Sequence, residues 1–302
     1  MGKSVRRMLL RSAFVVALMS SAALAGATEN STVTWPAGVS TVLNGILPPP
    51  GATQFYNYSQ YYAARQLAGP TGNSAIPNFK LDVFANAFRV VHTWGFHAGP
   101  LTLSTGFILP ILNLDIHAGG LSDHHSGVGD TTLQPVMISY SSPGHTFFAY
   151  FTPDVSVKTG AYSASHLVNP GRNVTAFMPN FNVTWFPVRD VELSGTAVYE
   201  IDSPNRATSY HSGNVGLFEY LIGYSVTKSL QLGLQGYFLK QVTDDVRGGG
   251  AIGNRAQVIG VGPQLVYKIS PLAGIALKYQ RQVDVRNWAR GNQFWVECSF
   301  PI

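Results

Sequence analysis

At 302 residues the chain can hold one large domain or two ordinary ones, and its single cysteine, Cys298, excludes an internal disulfide and any cysteine-based zinc cluster. Charged residues make up 12% of it against 45% hydrophobic, which is sparse charge for a soluble protein. Four of the 20 Lys and Arg residues, but none of the 15 acidic ones, fall in the first 25 positions, so the remainder is close to neutral and a nucleic-acid partner is not expected.

Those first positions form a pattern of their own. Lys3, Arg6, Arg7 and Arg11 lead into an apolar stretch that begins with Ala13 to Leu18, and Ala23-Leu24-Ala25 supplies a small-x-small cleavage pattern. Residues 1–25 therefore read as a secretory signal peptide; as a membrane anchor the stretch is too short, and Ser20 and Ser21 interrupt it. Residues 26–54 follow with Pro36, the run Pro48-Pro49-Pro50 and one charged residue, Glu29. They are either a periplasmic leader or a lumen plug; Trp35, Val39, Val42, Leu43, Ile46 and Leu47 give the second reading its apolar surface.

From about residue 55 to the end the dominant period is two. Phe147, Ala149, Phe151, Val155 and Val157 alternate with Thr152, Asp154, Ser156 and Lys158; Val191, Leu193, Ala197, Tyr199 and Ile201 alternate with Glu192, Ser194, Thr196, Glu200 and Asp202. Twelve such runs are expected as strands: 55–66, 78–94, 101–115, 130–141, 145–158, 173–187, 190–202, 213–227, 229–242, 255–269, 273–285 and 292–302. Tight links at 141–144, 188–189, 227–228 and 270–272 alternate with longer polar links at 116–129, 159–172, 203–212 and 243–254, as periplasmic turns alternate with extracellular loops. In the last run Phe294, Val296, Cys298, Phe300 and Ile302 lie two apart, with Glu297 and Ser299 between them. No later apolar run approaches the roughly 18 residues of a spanning helix, and a membrane protein without such helices must close its sheet. The expected fold is all-β: a transmembrane antiparallel β-barrel of about 12 strands over residues 55–302, in the bacterial outer membrane.

Specific wording then narrows the class. Leu47-Pro48-Pro49-Pro50-Gly51 precedes Phe55-Tyr56-Asn57-Tyr58, and Gly127-Val128-Gly129-Asp130-Thr131-Thr132-Leu133-Gln134-Pro135 precedes Asn169-Pro170-Gly171-Arg172-Asn173. Gly233-Leu234-Gln235-Gly236-Tyr237, Gln241-Val242-Thr243-Asp244-Asp245 and Gly253-Asn254-Arg255 follow. In this order, from about residue 35 onwards, they resemble the outer-membrane protein family named for the meta-cleavage pathway of phenol degradation. The resemblance implies a transporter-type barrel that admits small hydrophobic or aromatic compounds, and it brings no catalytic residues. Ile302 stands where such barrels more usually end on an aromatic, in the strand that would address the chain to the barrel-assembly machinery.

Alternation marks Lys80, Asp82, Asp154, Lys158, Glu192, Glu200, Glu219, Lys278 and Glu297 as candidate lumen-lining residues. They would form either a polar conduit or a ladder of ion pairs filling a narrow barrel. Pro135, Pro153, Pro179 and Pro263 each remove a ladder donor, and Gly260 and Gly262 thin the wall beside the last, so these are candidates for a wall kink or lateral window; an ordinary bulge is the alternative. His117, His124 and His125 lie with Asp115 and Asp123 in one expected loop, but the spacing matches no strong metal pattern, and no metal or cofactor is expected. His211 and Ser212 suggest a lipid-acting enzyme, yet neighbours on a strand point to opposite faces. The reading is a passive outer-membrane channel, in contact with outer-membrane lipid, for small hydrophobic or aromatic solutes, with a lipid-acting enzyme and a structural or adhesive barrel as alternatives.

Overall fold

The computed structural model describes residues 27–302; the expected signal peptide lies outside them. Among the described residues sixteen strands follow one another: β1 (Thr53–Ala68), β2 (Lys80–Ala98), β3 (Leu101–Ala118), β4 (Leu121–Val128), β5 (Thr131–Ser141), β6 (Phe147–Val157), β7 (Ala176–Trp185), β8 (Val191–Asp202), β9 (Tyr210–His211), β10 (Val215–Ser225), β11 (Leu230–Gln241), β12 (Val246–Arg247), β13 (Gly250–Ala251), β14 (Gln257–Ser270), β15 (Ala273–Arg286) and β16 (Trp288–Pro301). The main sheet has 13 strands and closes on itself, because β16 pairs with β1 and β2 pairs with β3. One of the 13, β4, only doubles the far half of β3, which leaves twelve in the barrel wall. Every pairing between neighbours is antiparallel, and each expected run from 55 to 302 supplies one of the twelve.

The alternation that makes these strands also turns the molecule inside out relative to a soluble protein. On β7, Phe181 keeps 50% of its surface exposed while Asn180 and Asn182 are buried. Phe151, Phe218, Leu234, Leu277 and Phe294 face outwards, and Gln235, Gln241, Gln264, Gln280 and Thr196 face in. An apolar exterior over a hydrogen-bonded interior is the polarity of a barrel in lipid, where closure leaves no strand edge for hydrocarbon to strand. The protein is an outer-membrane β-barrel.

One expected loop is a strand pair instead. The stretch 116–129 extends β3 to Ala118 and returns as β4, because Gly119 and Gly120 both adopt positive φ (59° and 85°), as a two-residue type I′ hairpin demands. Polar composition hid this, but Ser122, His124 and Ser126 do alternate with Asp123, His125 and Gly127. The resulting hairpin stands on the long-loop end, the extracellular side of such a barrel.

Residues 27–52 run the length of the lumen. At the long-loop end the Ala27 N–H donates to the Asn287 carbonyl at 2.8 Å, and the Thr28 N–H donates to Asp245 Oδ2 at 2.8 Å. At the short-turn end the Gly51 N–H reaches the Thr93 carbonyl at 2.8 Å, after which β1 begins.

Candidate functional site

A chain that crosses a barrel without regular structure must find partners for its backbone groups, and here the wall supplies them. Glu200 accepts from the N–H groups of Thr34 (2.7 Å) and Trp35 (2.9 Å). Glu219 accepts from Gly38 (2.5 Å), Ser40 (2.7 Å) and the Trp35 indole (3.3 Å). Glu192 takes the Leu43 N–H at 3.1 Å, and Thr184 the Gly45 N–H at 2.9 Å. On the facing wall the Lys278 ammonium donates to the carbonyls of Gly38 (2.8 Å) and Val39 (2.7 Å), pairs with Glu297 at 2.5 Å and lies over the Trp295 ring. Five of the nine charged positions singled out by alternation are thus gathered around one segment: Glu192, Glu200, Glu219, Lys278 and Glu297. A sixth, Asp154, is buried and accepts from Thr152 and Gln134.

The other three lie elsewhere. Lys80 and Asp82 share the parity of the exposed Phe84, opposite to the lumen-lining Leu81 and Val83. They pair with each other at 3.0 Å and with Arg65 and Asp115 on the outside of the barrel's extended rim. The reason is length: β2 has 19 residues, whereas roughly 9–11 suffice to span the membrane, so its outward charges sit clear of lipid. Lys158 is exposed just beyond the end of β6.

Beside the segment the lumen keeps two cavities. The outer one, about 320 Å³, is bounded by Trp35 and by Leu81, Val83, Ile108, Leu112 and Leu114 of β2 and β3. The inner one, about 360 Å³, is bounded by Ile46, Leu47 and Leu272. Val39, Ser40, Tyr58, Arg89 and Tyr150 border both, so the two meet at a collar of one guanidinium and two phenols. Arg89 donates to Gln134 at 2.7 Å and lies over the Tyr56 ring at 5.3 Å. No carboxylate lies within ion-pair distance of it among the described residues.

Sequence reasoning missed this apolar sector and the collar. A signal existed: apart from Asp82, Asn86, Arg89 and Asn113, β2 from Leu81 to Val91 and β3 from Phe107 to Leu114 are apolar on both parities. Tyr58, Tyr150 and Trp295 also point into the barrel and border the outer cavity.

The prolines form a row across adjacent strands. Pro153 lies directly opposite Pro179. Between β5 and β6 the ladder stops at Leu133–Val155 and resumes at Ile138–Phe151, so Gln134 to Met137 face Thr152 to Asp154 without ladder pairing, and Pro135 and Pro153 fall inside that gap. Pro263 sits across the barrel in a second break, between Val261–Arg281 and Gln264–Lys278. A Cβ on Gly260 would strike the Tyr237 ring, and one on Gly262 the Tyr279 carbonyl. Gln134 and Asp154 border both the first gap and the outer cavity.

The two enzyme-like residues make separate contacts: His211 Nε2 lies 2.9 Å from the Asp202 carbonyl, while Ser212 accepts the Glu29 N–H at 3.2 Å. Above the mouth, Asp115 lies near His117 (3.3 Å) and His124 (3.8 Å), and Asp123 near His125 (3.0 Å).

Comparison with known proteins agrees with this architecture. The family described as "Putative MetA-pathway of phenol degradation" matches residues 64–298. Among curated proteins none matches the chain. The solved COG4313 outer membrane channel from Pseudomonas putida F1 is similar at 17% identity and a TM-score of 0.77, over 89% of this chain and 100% of that one. The β domain of the Bordetella autotransporter BrkA is a fainter likeness, at 11% identity and a TM-score of 0.49 over 84% of this chain and 100% of that one. A Pseudomonas aeruginosa FadL homologue is fainter again, at 8% identity and a TM-score of 0.42 over 91% and 99%.

Proposed function

The chain belongs to the MetA-pathway family of phenol degradation, and on that premise we propose that it is a passive outer-membrane channel for small hydrophobic or aromatic compounds. The observation that carries this reading is the apolar lumen face of β2 and β3. A water-filled porin lines its lumen with polar side chains, whereas here Leu81, Val83, Ile108, Leu112 and Leu114 face an interior cavity. A flat apolar solute of that volume gains hydrophobic stabilisation there without crossing a wet pore.

In the proposed route the solute enters the outer cavity, passes or is turned aside at the Arg89 collar, and leaves either through the inner cavity or sideways into lipid at the Pro135–Pro153 gap. Residues 27–52 act as the plug that keeps water and ions from following. No covalent step is involved, and the chain is not an enzyme; its partners are outer-membrane lipid, the solute and, during biogenesis, the barrel-assembly machinery. The test is binding of a small monocyclic aromatic by the purified protein in detergent, followed by quenching of Trp35 and Trp288 beside the cavity. Leu112→Asp should weaken binding by about tenfold or more, since it replaces an apolar contact with a carboxylate. Equal affinity in the variant, or none in the wild type, would remove the proposal.

A further inference from the structure

The β3–β4 hairpin carries two faces of different chemistry. Asp115, His117 and His124 lie on its outer face, while Asp123 and His125, which pair in register with Ile116 and Leu114, lie on the inner one. Against that inner face packs the loop between β6 and β7, and it contributes a residue remote in sequence, His166. One ligand atom each from Asp123, His125 and His166 lies within 4.8 Å of the others. His125 Nε2 stands 3.0 Å from Asp123 Oδ1, and His166 Nδ1 stands 3.6 Å from Oδ2. The second distance is too long for a hydrogen bond, yet the two imidazole rings are only 3.6 Å apart between centroids and tilted by 58°. Two imidazoles from segments remote in sequence thus converge on one carboxylate.

We propose that Asp123, His125 and His166 form a site for a divalent transition-metal ion of the Zn²⁺ type. Two imidazole nitrogens and one carboxylate oxygen are a common donor set for such an ion, and imidazole donors disfavour Ca²⁺ and Mg²⁺. Ligand atoms around a tetrahedral ion with bonds of about 2.0–2.1 Å sit roughly 3.3 Å apart, so closure needs a side-chain contraction of about 1.5 Å or less. The carboxylate is already oriented, since the His124 N–H donates to Oδ1 at 3.0 Å and the Leu167 N–H to Oδ2 at 2.7 Å. The loop that supplies His166 also supplies Asn169, Pro170 and Arg172 to the roof of the outer cavity. A bound ion therefore fastens that roof to the hairpin and sets how readily the cavity opens outwards.

Untagged, chelator-treated full-length protein in detergent would be titrated with ZnCl₂ by calorimetry, and the loop probed by limited proteolysis. The wild type should bind one equivalent and its 158–175 loop should resist cleavage when zinc is present. His166→Ala and Asp123→Asn should each lose at least about tenfold in affinity and lose the protection. His117→Ala and His124→Ala, on the other face, should behave as the wild type. Absence of one-equivalent binding, wild-type affinity in His166→Ala, or loss of binding in the outer-face variants would overturn the assignment. Heat-modifiable migration of each variant confirms that its barrel has folded, so a negative result counts against the site itself.

Discussion

Glu219 has no basic group within ion-pair distance among the described residues; its oxygens are taken up by the N–H groups of Gly38 and Ser40 and the indole of Trp35. Lys278 on the facing wall takes the Gly38 and Val39 carbonyls, so opposite charges grip the donors and acceptors of the same few peptide units. Removing one side of such an arrangement leaves the other buried and unpaired. Lys278→Met should cost about 3–5 kcal/mol in urea unfolding, and the further change Glu297→Gln should restore part of it. Equal, additive losses would show that the two side chains are not coupled.

At the outer mouth Asp245 offers a titration. Burial pushes its carboxyl up, and the N–H groups of Gly213 and Thr28, the Tyr210 hydroxyl and the Gln241 amide pull it back only in part. Its folded value therefore lies above the unfolded one, near 4. The stabilisation it gives is complete below about pH 4 and is lost as pH rises through the folded value. Thermal stability of the wild type should fall across that window relative to Asp245→Asn; a difference that does not vary with pH would contradict the shift.

Among the elements, β5 and β6 share an interrupted stretch of ladder. Where Pro135 and Pro153 interrupt the ladder, Val in both places restores two N–H donors and fills the outward face with a residue suited to strands. The double variant Pro135→Val/Pro153→Val should slow uptake of apolar solutes several-fold while leaving ionic conductance unchanged. Unaltered uptake would mean that the gap is an ordinary bulge and that solutes leave through the inner cavity.

The legibility of the elements differs for a physical reason. Twelve strands were readable because lipid and lumen impose opposite demands on alternate side chains, and that alternation survives in Val191 to Asp202 and in Phe147 to Val157. Parity alone does not say which side is the lumen where a strand runs on past the lipid and outward charges are tolerated, which is why Lys80 and Asp82 read as interior. The partners of Glu200 and Glu219 could not be read at all, because residues 34–40 have no period. His166 is separated from His125 by 41 positions and a whole hairpin of wall, so spacing gave no warning that they meet.

For the whole molecule, a closed barrel with an apolar exterior fixes the surroundings, and a lumen occupied by its own leading segment rules out a wide aqueous pore. What remains open is mainly apolar, large enough to admit a small ring compound, and bounded on one side by β2 and β3. The most direct test is the initial uptake rate of a labelled monocyclic aromatic by a deletion strain and by the same strain carrying the wild-type chain, with a hydrophilic solute of similar size as control. The account predicts that the chain raises aromatic uptake and leaves the hydrophilic solute where it was. Equal aromatic uptake in the two strains, or a rise confined to the hydrophilic solute, would contradict it.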